Sequence, residues 1–491
     1  MFDFIYSIHE IVEQIFEHMD FKSKLNFISC NKFLRCMYSH LIRIKDTRKL
    51  TNNDIDRKFF DNCTSCYLNP DLERYPKHLK KVIVPDIFNG SIDSIIPSGI
   101  THLTLGTYFN QPINYIPESI THLTFGYHFN QSIRNLPESI THLKFGHDFD
   151  QPIDDLPEFI THLTFGERFN QPIKNLPKFT THLTFGFWFN QTIDNLPGFI
   201  THLKFGDCFN QPIKNLPQSI THLIMGYWFD KPINYLPESI THLTLGEYFN
   251  HPIDLPKFIT HLNLSGRFNQ PIKNLPESIT HLTLSDSFNH PINNLPESIT
   301  HLNLRSSFNQ PIKNLPESIT HLTFGDNFNQ PINNILESTS ITHLTIGDHF
   351  DQPINNLPKS ITHLTIGDYF NQPINNILES TSITHLTIGD HFNKPIKNIP
   401  VSITHLTLGE NFHQPIKDIP KCVTHLTLGF KFNQPIKDIP NCVTHLTIGQ
   451  DFNQSIKDLP KSITHLNLHN IFNKFVLNDV PKSVIHLKFL C

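Results

Sequence analysis

The chain has 491 residues, a formal net charge of −5 and no run rich in lysine or arginine. This balance argues against recognition of nucleic acid, which depends on clustered positive charge. The first residues lack the basic start and long apolar core of a signal peptide, and no stretch approaches the roughly 20 apolar residues of a membrane span. Together with eight scattered cysteines, these features predict no membrane contact and a reducing compartment, the cytoplasm or the nucleus.

Residues 1–50 do not repeat, and their apolar side chains follow the spacing of three short helices. Ile8, Ile11, Ile15 and Phe16 recur at intervals of three and four residues, as on one face of an amphipathic helix. Residues 23–44 contain two further helical patterns. Three short helices form a small core, so this segment needs a partner or the adjoining part of the chain to be stable.

The segment Ile8-His-Glu-Ile-Val-Glu-Gln-Ile-Phe-Glu-His-Met19 resembles the first half of an F-box, and Leu25–Arg35 resembles its second half. The Leu-Pro pair of that family is Ile8-His9 here, so the proline that shapes the first contact loop is missing. F-boxes dock on the Skp adaptor of cullin-based ubiquitin ligases. The alternative is a plain helical cap over the end of the repeats that follow. The resemblance implies that the following residues contact the adaptor: Ile8, Glu10, Ile11, Ile15 and Phe16.

Residues 51–75 are polar and irregular, which is typical of a linker or capping segment. Cys63 and Cys66 form one CxxC pair, with His78 nearby. A structural zinc site needs four ligands, and no fourth candidate is evident. We therefore predict two reduced cysteines in a loop and no metal.

Residues 76–491 repeat a unit of about 20 residues. In one copy Ile120, Leu123 and Phe125 are apolar, and the polar His122 and Thr124 alternate with them, which predicts a short strand. One unit buries too little apolar surface to fold alone, so the units must stack. The fold class expected is therefore a β-solenoid of about 21 coils, with a small α-helical domain before it.

The unit resembles the FNIP repeat, named for its Phe-Asn-Ile-Pro element, which reads Phe-Asn-Gln-Pro-Ile at Phe109–Ile113. The spacing of Ile120–Phe125 also resembles the start of a leucine-rich repeat. This chain departs from that pattern after the strand, where the variable His128 stands at the expected asparagine and the constant Asn130 comes two residues later. The resemblance implies a leucine-rich-repeat-like solenoid whose turn differs in detail. F-boxes and FNIP repeats occur together in proteins of amoebae and of their giant viruses.

The recurring histidines point away from the core by strand alternation, as His122 does, and should stack from coil to coil beside the threonines at Thr124 and its copies. A metal-binding or catalytic array is the alternative. No carboxylate, cysteine or nucleophile accompanies any one histidine at a special spacing, and no phosphate-binding or hydrolase motif occurs. We therefore expect a structural histidine column, no cofactor and no enzymatic activity.

Two positions between the strand-ending glycine and the constant phenylalanine differ in every copy, which implies solvent exposure. The later copies are mostly acidic or small there and could steer a basic partner. Drift, or packing of the outer aromatic rings on each other, is the alternative. The early copies carry large aromatic residues, predicted to lie in adjacent coils and to bind a target protein: Tyr108, Tyr127, Phe187, Trp188, Tyr227, Trp228 and Tyr248.

These features favour a substrate-recognition adaptor of a cullin-type ubiquitin ligase, in which the F-box-like segment docks on a Skp-type adaptor and the solenoid holds a target protein. The alternative is a protein-interaction scaffold or decoy that recruits no ligase. Either function fits the cytoplasm, which would be that of the host cell if the protein is viral.

Overall fold

The computed structural model describes residues 49–52, 60–332, 335, 338–354, 357–374, 382–397, 399–469 and 479–490. The described chain divides into two compact units, with the boundary between Ile220 and Thr221. The helices predicted in the first 48 residues lie outside the described residues. So do the adaptor-binding residues predicted there: Ile8, Glu10, Ile11, Ile15 and Phe16.

The described part of unit 1, which ends at Ile220, is a parallel β-solenoid. Its described residues hold one 3₁₀ turn at Phe60–Asn62 and eight short strands, each paired in parallel with the next in chain order. The strands are β1 (Ser65–Tyr67), β2 (Lys81–Ile83), β3 (His102–Thr104), β4 (His122–Thr124), β5 (His142–Lys144), β6 (His162–Thr164), β7 (His182–Thr184) and β8 (His202–Lys204).

Unit 2, from Thr221 onward, has the same construction. Its described residues hold fourteen strands, again parallel and paired in chain order. The strands are β9 (His222–Ile224), β10 (His242–Leu245), β11 (His261–Leu264), β12 (His281–Leu284), β13 (His301–Leu304), β14 (His321–Phe324), β15 (His343–Ile346), β16 (His363–Ile366), β17 (His385–Ile388), β18 (His405–Leu408), β19 (His425–Leu428), β20 (His445–Ile448), β21 (His465–His469) and β22 (His486–Leu490).

The register places identical residues on top of one another. Leu123 pairs with Leu143, and both side chains point inward and are buried. The constant phenylalanines stack in the same way: Phe129 and Phe149 are fully buried with their ring centroids 6.2 Å apart. Each coil therefore covers the apolar side chains of the one before it, which explains why a unit unable to fold alone is stable in a stack.

The predicted leucine-rich-repeat-like solenoid is confirmed for the described residues. The parallel sheet already begins at Ser65–Tyr67, inside the segment expected to be a linker or cap. Cys66 lies in that first strand and, like Cys63, is buried in the core rather than placed in a loop. None of the helices in the described ranges is long and apolar enough to span a bilayer.

Candidate functional site

The turn after each strand carries the two variable residues of every coil to the surface. Gly126 follows the strand of its coil, and a β-carbon there would lie 1.8 Å from the carbonyl oxygen of Gly106, so this close approach requires glycine. Phe129 closes the turn: its N–H donates to the carbonyl of Gly126 at 3.3 Å, and its ring fills the core. Tyr127 and His128, between these two fixed points, lie outside the core.

Backbone hydrogen bonds align these turns from coil to coil. The N–H of His128 donates to the carbonyl of Thr107 at 3.0 Å, and the N–H of Trp188 donates to the carbonyl of Glu167 at 2.8 Å. The variable residues therefore form two columns, a column being the set of equivalent residues in successive coils. Position is fixed by the backbone while the side chain is free to differ, which suits a recognition surface.

Unit 1 holds four of the predicted target-binding residues. Tyr108 and Trp188 are 56% and 55% exposed, and Tyr127 is 46% exposed. Phe187 is half-buried and meets Trp188 edge to face, with the ring centroids 5.0 Å apart. Exposed Tyr and Trp side chains offer a large contact area with few rotamers to freeze, as binding hot spots require.

A polar cluster beside these rings was not recognised from the sequence. The carboxylate of Asp148 lies 2.7 Å from Nδ1 of His128, 2.7 Å from Nδ1 of His147 and 3.4 Å from Nε of Arg168. Burial acts to raise the pKa of Asp148, but the hydrogen bonds from the two histidines and the charge of Arg168 lower it overall. Tyr127 stacks on His147 at 4.3 Å, so the cluster holds an exposed ring in place. The sequence could have indicated this cluster, because histidines and charged residues occupy the variable columns of consecutive coils there.

Unit 2 holds the other three predicted residues, in mutual contact. Tyr227 and Trp228 are each 44% exposed, and Trp228 packs on the half-buried Tyr248 with 4.4 Å between ring centroids. The guanidinium of Arg267 lies 3.8 Å over the ring of Tyr248 and donates to its hydroxyl at 3.0 Å. Outer rings therefore pack on each other here and still leave Trp228 open. Trp188 belongs to unit 1, so its predicted two-coil distance from Trp228 stays a prediction.

Later in unit 2 the first variable column is acidic. The N–H of Glu410 donates to Oδ1 of Asp390 at 3.1 Å, which fixes that carboxylate over the next coil. Burial, followed by the charges of Asp390 and Asp348, raises the pKa of Asp368. Five consecutive coils thus stack like charges at the cost of mutual repulsion: Asp326, Asp348, Asp368, Asp390 and Glu410.

The outward strand face carries the predicted histidine column. His122 and His142 stack with 4.1 Å between ring centroids. Oγ1 of Thr141 lies 2.9 Å from Nδ1 of His142 and 3.2 Å from the carbonyl oxygen of Thr121 in the preceding coil. Burial, and then the charge of neighbouring imidazoles, lowers the pKa of His122. Each threonine ties an imidazole to the coil before it, so the histidines have a structural role.

An open trough of about 730 Å³ runs along unit 1 between the strand face and the first variable column. Its floor is glycine backbone. Most residues on the strand side are threonines, and Lys144 and Lys204 replace two of them as exposed side chains. We call this feature the unit 1 trough. The strand side of the trough consists of Thr124, Lys144, Thr164, Thr184 and Lys204. The opposite side, from the first variable column, consists of Tyr127, His147, Glu167, Phe187 and Asp207.

A second aromatic feature of unit 1 also escaped the sequence interpretation. Phe159 and Phe199 are more than half exposed, and Phe179 stacks between them at 5.6 and 5.8 Å. Most other coils have serine at this position, as at Ser139, whose hydroxyl donates to the carbonyl of Ile120 at 2.7 Å. The replacement of serine by phenylalanine in three consecutive coils was the signal in the sequence.

The described residues hold no group of three or more His, Cys, Asp or Glu side chains placed to bind a metal ion. Cys63 and Cys66 form no disulfide, and burial together with Cys63 raises the pKa of Cys66 to about 12. These two cysteines therefore serve as core side chains.

Comparisons place this architecture among known proteins. CroV588 from a giant virus, described as a novel circular LRR protein, is 36% identical over 88% of this chain and 82% of its own, with a TM-score of 0.70. YopM from Yersinia enterocolitica is 17% identical over 87% of this chain and 85% of its own, with a TM-score of 0.41. The LRR protein LIC12759 of Leptospira interrogans is 12% identical over 91% of this chain and all of its own, with a TM-score of 0.32. No curated protein matches the sequence.

The repeat itself has a counterpart among protein families. The family described as FNIP Repeat matches overlapping segments that span residues 88–187, 189–336, 354–378 and 380–491. These segments contain nearly all of the strands and turns described above. The chain belongs to the FNIP repeat family.

Proposed function

We propose that this chain recognises a target protein through the exposed aromatic side chains of its variable columns. The observation that carries the proposal is the placement of Trp188 and Trp228, the two tryptophans of the chain, on surface turns where each is about half exposed. A rigid repeat gains no core packing from large rings outside the core. Such rings are typical of binding hot spots, and the fold resembles leucine-rich-repeat interaction scaffolds.

The same proposal assigns the N-terminal segment to recruitment of a ubiquitin ligase. Its support is the sequence resemblance of Ile8–Met19 to an F-box, which would dock on a Skp-type adaptor of a cullin ligase. The solenoid would then present its target for ubiquitination in the cytoplasm, that of the host cell if the protein is viral. The alternative is a scaffold or decoy that holds the target without a ligase.

Capture of the target tests the binding role. The full-length chain, used as bait, is compared with a variant carrying Trp188→Ala and Trp228→Ala. A matched control carries Tyr115→Ala and Tyr235→Ala, which removes two exposed rings that lie outside the variable columns. We expect the tryptophan variant to lose proteins that the wild type and the control both retain. Equal capture by all three baits would contradict the proposal.

Recruitment of the ligase is tested separately. Deletion of residues 1–48 leaves Leu50, which is buried and whose carbonyl accepts Nδ2 of Asn69 at 3.0 Å. We expect this deletion, and the point variant Ile11→Asp with Phe16→Asp, to abolish co-purification of Skp and cullin while the target is still captured. The scaffold alternative would be favoured if the adaptor co-purifies with the deletion variant. It would also be favoured if the adaptor does not co-purify with the wild-type chain.

A further inference from the structure

The unit 1 trough separates two rows of opposite charge. Lys144 and Lys204 project from the strand side, and Glu167 and Asp207 line the side formed by the first variable column. All four side chains are exposed. Neither lysine forms an ion pair with a carboxylate anywhere in the described residues. The two rows therefore face each other across open space instead of neutralising one another.

The floor of the trough is fixed in shape. A β-carbon on Gly186 would lie 1.9 Å from the carbonyl oxygen of Gly166, so the close approach of these two coils requires glycine. Thr164 and Thr184 stand between the two lysines and offer hydroxyl groups along the strand side. Because the floor, the hydroxyls and the charges all repeat along the stacking direction, a ligand that fits them is itself long and regular.

An extended polypeptide matches this pattern. Its side chains alternate between its two edges, and it rises about 3.3 Å per residue. Lys144 and Lys204 are three coils apart, which is about 14 Å at the inter-strand spacing of about 4.8 Å. Two residues four apart in an extended chain lie on the same edge and are separated by about 13 Å. The spacing of the two lysines thus corresponds to positions i and i+4 of an extended chain.

We infer that an extended segment of a partner protein occupies the unit 1 trough. Acidic side chains four residues apart pair with Lys144 and Lys204, and a basic side chain on the other edge pairs with Glu167 or Asp207. A nucleic acid or another polyanion would be repelled by these two carboxylates on the side opposite the lysines. The opposed rows therefore select a chain that carries both signs of charge. This inference rests on the proposed function and specifies the chemistry of the target.

The experiment measures binding of fluorescein-labelled nine-residue peptides to the full-length chain by fluorescence anisotropy. The probe has glutamates at its third and seventh positions and lysines at its fourth and sixth, with threonine and valine elsewhere. A control peptide of the same composition exchanges the residues at the sixth and seventh positions. Its glutamates, at the third and sixth positions, then lie on opposite edges of the extended chain. We expect at least about fivefold tighter binding of the probe, lost at high salt, as two exposed ion pairs allow.

A charge exchange identifies the partners in the protein. The variant Lys144→Glu with Lys204→Glu makes both sides of the trough acidic, so it should lose the probe and bind a peptide that has lysine at all four charged positions. The milder variant Lys144→Gln with Lys204→Gln should lose the preference between the two peptides without inverting it, which keeps the test valid if the reversal disturbs the fold. Reversal of two exposed lysines on the return path of unit 1, Lys174→Glu with Lys214→Glu, should change nothing.

Absence of any preference between the two peptides, or equal losses in the trough and return-path variants, would overturn the inference. That result leaves the proposed function standing if target capture still depends on the two tryptophans. Conversely, target capture that is independent of the tryptophans contradicts the proposed function whatever the peptides do.

Discussion

The side-chain carbonyl of Asn130 accepts the backbone N–H of Asp150, its counterpart in the next coil, at 3.0 Å. The same oxygen accepts Nε2 of Gln151, also at 3.0 Å. One coil earlier, Oδ1 of Asn110 accepts the backbone N–H of Asn130 in the same way. One residue per coil therefore satisfies a backbone donor that strand pairing does not reach, and this explains why asparagine recurs at this place in the repeat.

Replacement of Asn130 by alanine should weaken the stack locally. The change leaves two donors of the next coil without their acceptor, at a cost of about 1–3 kcal/mol. We expect faster hydrogen exchange at the amide of Asp150 and a lower midpoint of urea unfolding. Asn130→Asp keeps an acceptor oxygen, as Asp150 does naturally toward the N–H of Asn170 at 2.9 Å, and should behave like the wild type. Equal effects of the two substitutions would contradict this role.

Acidification should destabilise the histidine column. The pKa of His142 lies below its ordinary value of 6.5, first because of burial and then because of the charge of His122 and His182. The unfolded chain therefore binds protons at a higher pH than the folded one. The stability that the column of neutral histidines gives the folded chain is complete above about pH 6.5. It is lost as the pH falls through the lower pKa of the folded state.

The measurement is the melting temperature between about pH 7.5 and pH 5, which should fall on acidification. Replacement of His122 and His142 by glutamine should make the fall smaller. Replacement of His290 and His413, which lie outside the column, by glutamine should leave the fall in melting temperature as large as in the wild type. A melting temperature independent of pH would show that the column does not titrate with folding.

The acidic column of unit 2 should be stabilised by removal of one charge. Asp368 lies between Asp348 and Asp390, and its raised pKa reflects burial and then these two carboxylates. Asp368→Asn removes the repulsion and keeps an oxygen for the N–H of Asp390. We expect a gain of roughly 0.5 kcal/mol in the free energy of unfolding at pH 7, in the range for like charges on adjacent strands. The gain should disappear as the pH falls through the raised pKa of the wild-type carboxyl and protonates it, and Asp418→Asn on the exposed return path should give none.

Whole coils should be removable. Each coil contacts the coils before and after it, so deletion of residues 121–140 joins equivalent positions and preserves the register of unit 1. Deletion of residues 121–130 removes half a coil and should break that register. Circular dichroism and limited proteolysis should show a folded, resistant protein in the first case and a locally unfolded one in the second. Equal behaviour of the two deletions would refute the stacked-coil arrangement.

Much of the fold could be predicted because the repeat reduces it to one unit. Alternation around Leu123 predicted the strand, its inward side and the outward stacking of His122, since a strand has only two faces. The first coil was harder to predict. Cys66 was predicted to be a reduced cysteine in a loop because the sequence around it has lost the repeat, although its backbone pairs with Val82 in a strand.

Contacts between side chains of different coils were the part that the sequence interpretation missed. Asp148, His128 and His147 were seen as three variable residues, and their convergence depends on rotamers that a repeat pattern does not specify. The stacking of Phe179 was missed for another reason. The residues around it follow the repeat, and the replacement of serine by phenylalanine gains its meaning only from the serine hydrogen bond seen in the structure. Tyr248 stays a predicted contact residue, and the sequence did not show that its half-buried ring lies between Trp228 and Arg267.

The fluorescence of the two tryptophans provides the most direct test of target recognition by the aromatic columns. Trp188 and Trp228 are the only tryptophans in the chain, and both are open to solvent, so the emission of the free protein should be red-shifted and readily quenched by iodide. Titration with a captured target that lacks tryptophan should shift the emission to the blue and protect both rings from quenching. A target that binds, as judged by calorimetry, without any change in emission or quenching would contradict the account.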